Sequence, residues 1–304
     1  RLNAGGEASG ELARAPSVAD NAIEGSRPMP DPTSVATAVL GWAWDNWELV
    51  RKRLAELAGL VTKPNDRPVL ILGPGGCGKT TLLNILAGNR DWLRDTPWVY
   101  AESNRPEVSA LADDQAVQVV ATPGQPHRER TFWPDLQAEI AAGKYRGVVL
   151  LAAFGYHTFS QTVRLKHHPL YQPGGRNPTV EFLAKYLPDR RADQLRVRRP
   201  LVPYLRACQK PVWLFTVVAK QDLWADEQAE AEAHYQTGDY GAEVAALVAG
   251  LDPTRFRHEL TLTSLVIANL LTRGGDELKK NAAGYDQRQQ VESVKRMIEL
   301  LYGL

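Results

Sequence analysis

The sequence predicts an α/β fold of three layers, a mostly parallel sheet flanked by helices, with an insertion and a separate amphipathic helix ahead of it. Three observations carry that prediction. Short apolar runs of the kind found in buried parallel strands recur at 68–72, 116–121, 146–153, 211–219 and 259–266. Helix-like stretches stand between them at 79–87, 133–142 and 226–235, and strands that alternate with helices build βαβ units. The chain is also large and apolar enough to bury a core, with 304 residues of which 44% are hydrophobic.

Composition excludes several classes of protein. Lys and Arg number 36 against 35 Asp and Glu, a net charge of +1, so no chain-wide attraction to nucleic acid or anionic membrane exists and any such affinity is local. Cys77 and Cys208 are the two cysteines; they cannot form a disulfide framework, and a reducing, cytoplasmic setting is expected. No apolar run reaches the roughly 18 residues of a spanning helix. The first residue is Arg1, which leaves open what precedes it.

Residues 1–33, rich in Ala, Gly, Ser and Pro, read as a flexible linker or tail. A helix-start signal at Pro32-Thr33-Ser34 opens 34–62, where Leu40, Trp44, Trp47, Val50, Leu54, Leu57 and Val61 share one face. Packing on the following domain is the plainer use of that face. Trp42, Trp44 and Trp47 beside Arg51, Lys52 and Arg53 would also suit peripheral membrane contact or a partner groove. The main domain is expected over 63–304. Within it, 163–206 carries ten Lys/Arg and three Asp/Glu, is too long for an ordinary connection, and reads as a basic insertion between a strand and the next helix. The chain closes on a helical pattern at 287–301, where Val291, Val294, Met297, Ile298 and Leu301 recur.

The chemistry lies in Gly73-Pro74-Gly75-Gly76-Cys77-Gly78-Lys79-Thr80-Thr81, which follows the first strand and opens a helix. Glycines let the backbone curl so that successive N–H groups face phosphate oxygens, and the helix N-terminus adds free donors and a favourable dipole. Lys79 would reach the β- and γ-phosphates, and the Thr80 hydroxyl would ligate Mg²⁺. This phosphate-binding loop makes the expected fold a P-loop NTPase fold that binds a nucleoside triphosphate.

From about residue 67 onward the chain resembles the Ras/Arf-like GTPase superfamily. Ala121-Thr122-Pro123-Gly124-Gln125 is similar to that family's switch II segment D-T-x-G-Q. The resemblance implies that Gly124 contacts the γ-phosphate and that Gln125 orients the attacking water. Ala121 departs from the family, which has there an Asp holding a Mg²⁺-bound water; Asp113 or Asp114 could approach instead. Ala219-Lys220-Gln221-Asp222 resembles the guanine motif N-K-x-D. By that resemblance Asp222 accepts from the guanine N1–H and amine, the Lys220 stem covers the base, and Ala219 lacks the usual Asn. Thr261-Leu262-Thr263-Ser264-Leu265 resembles the loop that touches the guanine oxygen, with Ser264 and Leu265 in that role; a plain strand with Thr on its polar face explains it equally well. Switch I should supply a Thr for Mg²⁺, with Thr96 the best-spaced candidate and Ser103 the next.

Other candidates are weaker. His127, Arg128 and Arg130 follow Gln125 and could act as an arginine finger or form a partner-facing surface. His167 and His168 are adjacent, so their side chains diverge and a loop role outweighs metal binding. Cys77 in the phosphate loop invites a redox role, although small residues there usually serve fit. The basic insertion has no aromatic interleaving or RNA-binding motif, so no specific nucleic-acid partner is predicted. It is followed by 222–259, with nine Asp/Glu and two Arg, and the two segments could face each other or a partner.

The leading expectation is a GTP-binding switch that uses GTP/GDP and Mg²⁺, hydrolyses GTP slowly, and meets a protein partner through its switch regions or 163–206. The alternatives are a non-hydrolysing nucleotide-binding scaffold, which Ala121 and Ala219 favour, and an ATP-binding signalling ATPase.

Overall fold

The computed structural model describes residues 67–89, 105–111, 118–124, 126–157, 165–272 and 276–304, with backbone alone at 126–131. The expectations for 1–33 and 34–62, and those for Thr96, Ser103, Asp113, Asp114 and Gln125, lie outside the described residues, as do the side chains of His127, Arg128 and Arg130.

Six strands form one sheet: β1 (Val69–Leu72), β2 (Glu107–Ala110), β3 (Gln118–Ala121), β4 (Gly147–Ala152), β5 (Val212–Val218) and β6 (Phe256–Leu262). Their order is β2-β3-β1-β4-β5-β6. Every pairing is parallel except that of β2 with β3. The chain goes to one side of β1 for β2 and β3 and to the other for β4, β5 and β6. The order therefore reverses at β1, where α/β sheets open a ligand crevice beyond the strand carboxyl ends.

Helices cover both faces: α1 (Lys79–Leu86), α2 (Pro126–Ala141), α3 (Pro178–Arg198), α4 (Val202–Ala207), α5 (Gln221–Trp224), α6 (Gln228–Gln236), α7 (Asp239–Ala249) and α8 (Gln287–Gly303). Strand side chains alternate between the faces. Val69 and Ile71 join Leu82 and Leu86 of α1 and Met297 and Ile298 of α8 in one core, while Leu70 and Leu72 join Ile140 of α2, Leu205 of α4 and Leu247 of α7 in the other. The fold is thus the three-layer α/β P-loop fold. Ahead of α8 a short separate sheet pairs β7 (Leu270–Leu271) antiparallel with β8 (Glu277–Lys279). At α8, Asp286 accepts from the Gln289 N–H and the Gln289 side chain accepts from the Asp286 N–H, both at 2.9 Å, a reciprocal cap that starts the helix.

Several elements differ from expectation. The last sheet strand begins at Phe256 rather than near 259; its exposed Arg257 and Glu259 dilute the apolar signal of an edge strand. The short strand β2 and helix α7 were not anticipated. The segment 163–206 is not simply an insertion before the next helix, because its later part is itself the crossover that two parallel strands require. There α3 continues through Pro188 to Arg198, and Val197, Leu201 and Leu205 enter the core under β4 and β5.

The basic and acidic segments face each other. Arg191 pairs with Glu230 at 2.8 Å and Arg199 with Glu243 at 2.7 Å. Arg198, 1% exposed, also pairs with Glu243 and lies 5.5 Å from the Tyr240 ring.

One packing detail constrains the sheet centre. Gly147 stands opposite Trp213, and a Cβ on Gly147 would sit 2.0 Å from the indole. Gly147→Ala is therefore expected to destabilise the domain by on the order of 1–3 kcal/mol, the usual cost of overpacking. Thermal denaturation should show a melting point lower by several degrees.

Candidate nucleotide site

The phosphate loop leaves β1 at Gly73 and enters α1 at Gly78. Both have positive φ, +154° and +105°, which glycine adopts without a Cβ clash. At Gly73 the reason is also steric, since a Cβ would lie 2.4 Å from the Leu151 carbonyl of β4. Lys79 is 8% exposed, and its ammonium donates to the Gly73 and Pro74 carbonyls, each at 2.8 Å. The cation is thus folded back into the loop it would share with phosphate oxygens. Gly75 and Gly76 form the turn of that loop, and Thr81 follows Thr80 in the first turn of α1.

Gly124 meets this loop from the end of β3. A Cβ there would fall 2.3 Å from both the Gly73 oxygen and the Lys79 Nζ. The sequence-predicted pair Lys79 and Gly124 is brought together, and Gln125 follows directly.

Thr80 has a neighbour that sequence reasoning missed. Its Oγ1 lies 3.4 Å from Glu107 Oε1 on β2, and Glu107 is the register partner of Ala121. No motif marks Glu107; its position depends on the antiparallel register of β2 on β3.

A second cluster of buried polar groups lies beyond the carboxyl ends of β5 and β6. Lys220 takes a left-handed conformation, φ +62°, as the chain turns from β5 into α5. Asp222, 1% exposed, accepts from the Ser264 hydroxyl and, at 3.0 Å, from the Ala268 N–H. Gln221 N donates to Thr263 O at 3.0 Å, tying this turn to the loop after β6. Thr263 and Ser264 have left the strand, which favours the loop reading of 263–265 over a plain strand. Leu265 reaches back to the phosphate loop: its Cδ1 would lie 3.5 Å from a Cβ on Gly78. Trp224, fully buried, donates through Nε1 to the Ala219 carbonyl at 3.0 Å, bracing the turn into α5.

Electrostatics distinguish the two ends. Burial pulls the Lys220 ammonium down to about 8, against Cys77 and Asp222, which hold it up. Burial pushes the Asp222 carboxyl up to about 6, against the Ser264 and Ala268 hydrogen bonds and Lys220. Burial likewise raises the Cys77 thiol, despite Lys79 and Lys220, and its Sγ donates to Pro74 O at 3.0 Å. A buried, protonated thiol that closes the loop serves fit rather than redox chemistry. His168 accepts from the Leu170 N–H and stacks edge-on against Phe182, and no cluster of three or more His, Cys, Asp or Glu side chains placed to share a metal occurs among the described residues. No described helix is long and apolar enough to cross a membrane.

The Asp222 shift carries opposite consequences for folding and for ligand. A carboxyl raised from 3.8 to about 6 adds stability in its protonated form. That contribution is complete below about 4 and is lost as pH rises through about 6, up to about 3 kcal/mol. A base that donates to the ionised carboxylate gains over the same interval. Nucleotide-free protein should therefore gain stability relative to Asp222→Asn as pH falls from 7 to 5, and any ligand that donates to the carboxylate should bind more weakly. Paired melts and titrations at both pH values check this.

No family model matches the chain, and no curated protein does. Among solved structures it is similar to an ADP-ribosylation factor-like GTP-binding protein, the small COPII coat GTPase, from Encephalitozoon cuniculi in complex with GDP. That match has 16% identity, covers 87% of this chain and 91% of the other, and has a TM-score of 0.41. A second is a bacterial selenocysteine-specific elongation factor, at 14% identity, 77% and 29% coverage, and a TM-score of 0.29.

Proposed function

We propose that this chain binds GTP with Mg²⁺ through its phosphate loop, hydrolyses it slowly, and uses the segments around Thr96 and Gln125 as a conformational switch for a protein partner. The observation that carries the reading is the meeting of two sites at the carboxyl edge of β1, β5 and β6. One is the Gly73–Gly78 loop with Lys79 and Gly124; the other is the buried Asp222 with Ser264. The loop N–H groups and Lys79 hold phosphates. Asp222 pairs donors that guanine has and adenine lacks, and Ser264 and the Ala268 N–H hold the carboxylate in place for them.

The donor set suits magnesium. Thr80 presents a hydroxyl and Glu107 a carboxylate on the same side of the phosphate loop, the hard oxygens that Mg²⁺ takes. When bound, the ion neutralises charge on the β- and γ-phosphates. Gln125 would orient the attacking water. The partner would read the loops that the γ-phosphate orders, with 163–206 and 34–62 as further surfaces for protein and membrane contact.

Titration calorimetry with GTP, GDP and ATP in Mg²⁺ tests the reading. GTP binding tighter than ATP is expected; ATP binding equal or tighter overturns the guanine assignment in favour of an ATPase. Ala121, a methyl in place of a carboxylate, favours a second reading, a non-hydrolysing module. Phosphate release that is absent and unchanged by Gln125→Ala, with GTP still bound, would establish it.

A further inference from the structure

We propose that Glu107 supplies, from the neighbouring edge strand, the carboxylate of the magnesium pocket that Ala121 cannot, and so sets how strongly Mg²⁺ and nucleotide reinforce each other. The inference rests on the nucleotide-binding reading above.

Three observations place the group. Glu107 and Ala121 are register partners in the antiparallel β2–β3 pair, so their side chains share a face of the sheet and their Cβ atoms stand about 5 Å apart. Ala121 points toward α1, in the same core as Ile71 and Leu82. Glu107 starts one strand further out and carries one more methylene than Asp. That extra length lets its carboxylate reach across to α1, where Oε1 stands 3.4 Å from the Thr80 Oγ1. A carboxylate delivered from the edge strand thus stands beside the first hydroxyl of α1.

Alone, a carboxylate facing this loop repels phosphate. With Mg²⁺ present it favours the cation and its water, so the same charge should weaken nucleotide binding without metal and strengthen it with metal. A merely structural Glu107 would not produce that inversion.

The test measures release and affinity of a fluorescent GDP analogue in Mg²⁺ and in EDTA, for the full chain and its variants, with melts confirming the fold. In wild type, Mg²⁺ should tighten binding. Glu107→Gln should reduce that tightening by about tenfold or more, the usual weight of a charge-assisted contact, and bind more tightly than wild type in EDTA. Glu107→Gln combined with Ala121→Asp should recover the tightening, because the carboxylate returns to the position across the strand. Mg²⁺ coupling unchanged in Glu107→Gln overturns the proposal, as does a variant weakened equally in Mg²⁺ and EDTA. Wild type that binds no guanine nucleotide in either buffer overturns the nucleotide reading itself, and this proposal with it.

Discussion

Asp222→Asn is expected to weaken GTP binding roughly a hundredfold and to erase the preference for guanine over adenine, with ATP affinity little changed. The guanine edge offers two N–H donors to a carboxylate, and the Asn amide meets them with one acceptor and one donor. A buried donor left unpaired costs about 1–3 kcal/mol, and sites built to pair such groups discriminate through that cost. Xanthine carries a carbonyl where guanine carries the amine, so XTP should bind Asp222→Asn better than GTP does. Loss of fold would not mimic this result. The carboxyl is pushed up to about 6 by burial, so replacing it with a neutral amide at pH 8 relieves a buried charge, while the Asn oxygen can still accept from Ala268 N–H. Competition titrations with GTP, ATP and XTP, paired with a melting curve, check both halves. Equal GTP affinity in variant and wild type would show that Asp222 does not read the base.

Gly124→Ala should impair binding at the other end of the nucleotide, by about tenfold or more for GTP and less for GDP. The added methyl would overlap the Gly73 oxygen and the Lys79 Nζ, each 2.3 Å away, and the Pro74 carbonyl carbon at 2.7 Å. Two of those three atoms are backbone of a loop already held by Leu151 behind it, so the loop cannot simply yield. Tight cores answer such insertions with shifts that cost about 1–3 kcal/mol. The third is the Lys79 ammonium, and displacing it would disturb its hydrogen bonds to the Gly73 and Pro74 carbonyls. The larger penalty for GTP follows if Gly124 meets the γ-phosphate, and equal losses for GTP and GDP would separate loop distortion from that contact. Dissociation rates of fluorescent GTP and GDP analogues measure the difference.

Much of this site was legible in the chain because its parts are local. A glycine-rich turn between strand and helix needs only a dozen consecutive residues, and Gly73 and Gly78 take the positive φ that such a turn requires. The buried strands were legible for the same reason, since Val-Leu-Ile-Leu at 69–72 and the run through β5 are apolar on both faces and need no partner to be read. Edge elements were not. In β2, Glu107 and the exposed Val108 present no apolar alternation, and α7 lies inside a stretch whose acidity obscures its buried Val244 and Leu247.

Charge shows the same division. The sequence alone establishes that a segment of about +7 precedes one of about −7, ten against three and two against nine, but not whether they meet. Packing α3 beside α6 and α7 pairs Arg191 with Glu230 and Arg199 with Glu243.

Local physics, then, was enough to show a phosphate loop, a parallel sheet and an acidic residue at a strand end. Which side chains stand together across the site was decided by tertiary structure. Ser264 finds Asp222 across 42 positions because β5 and β6 are parallel neighbours. Glu107 finds Thr80 across 27 because an antiparallel register sets it opposite Ala121. Strand register is determined by what the two faces bury and how the intervening chain closes, and neither is written in the few residues around a carboxylate.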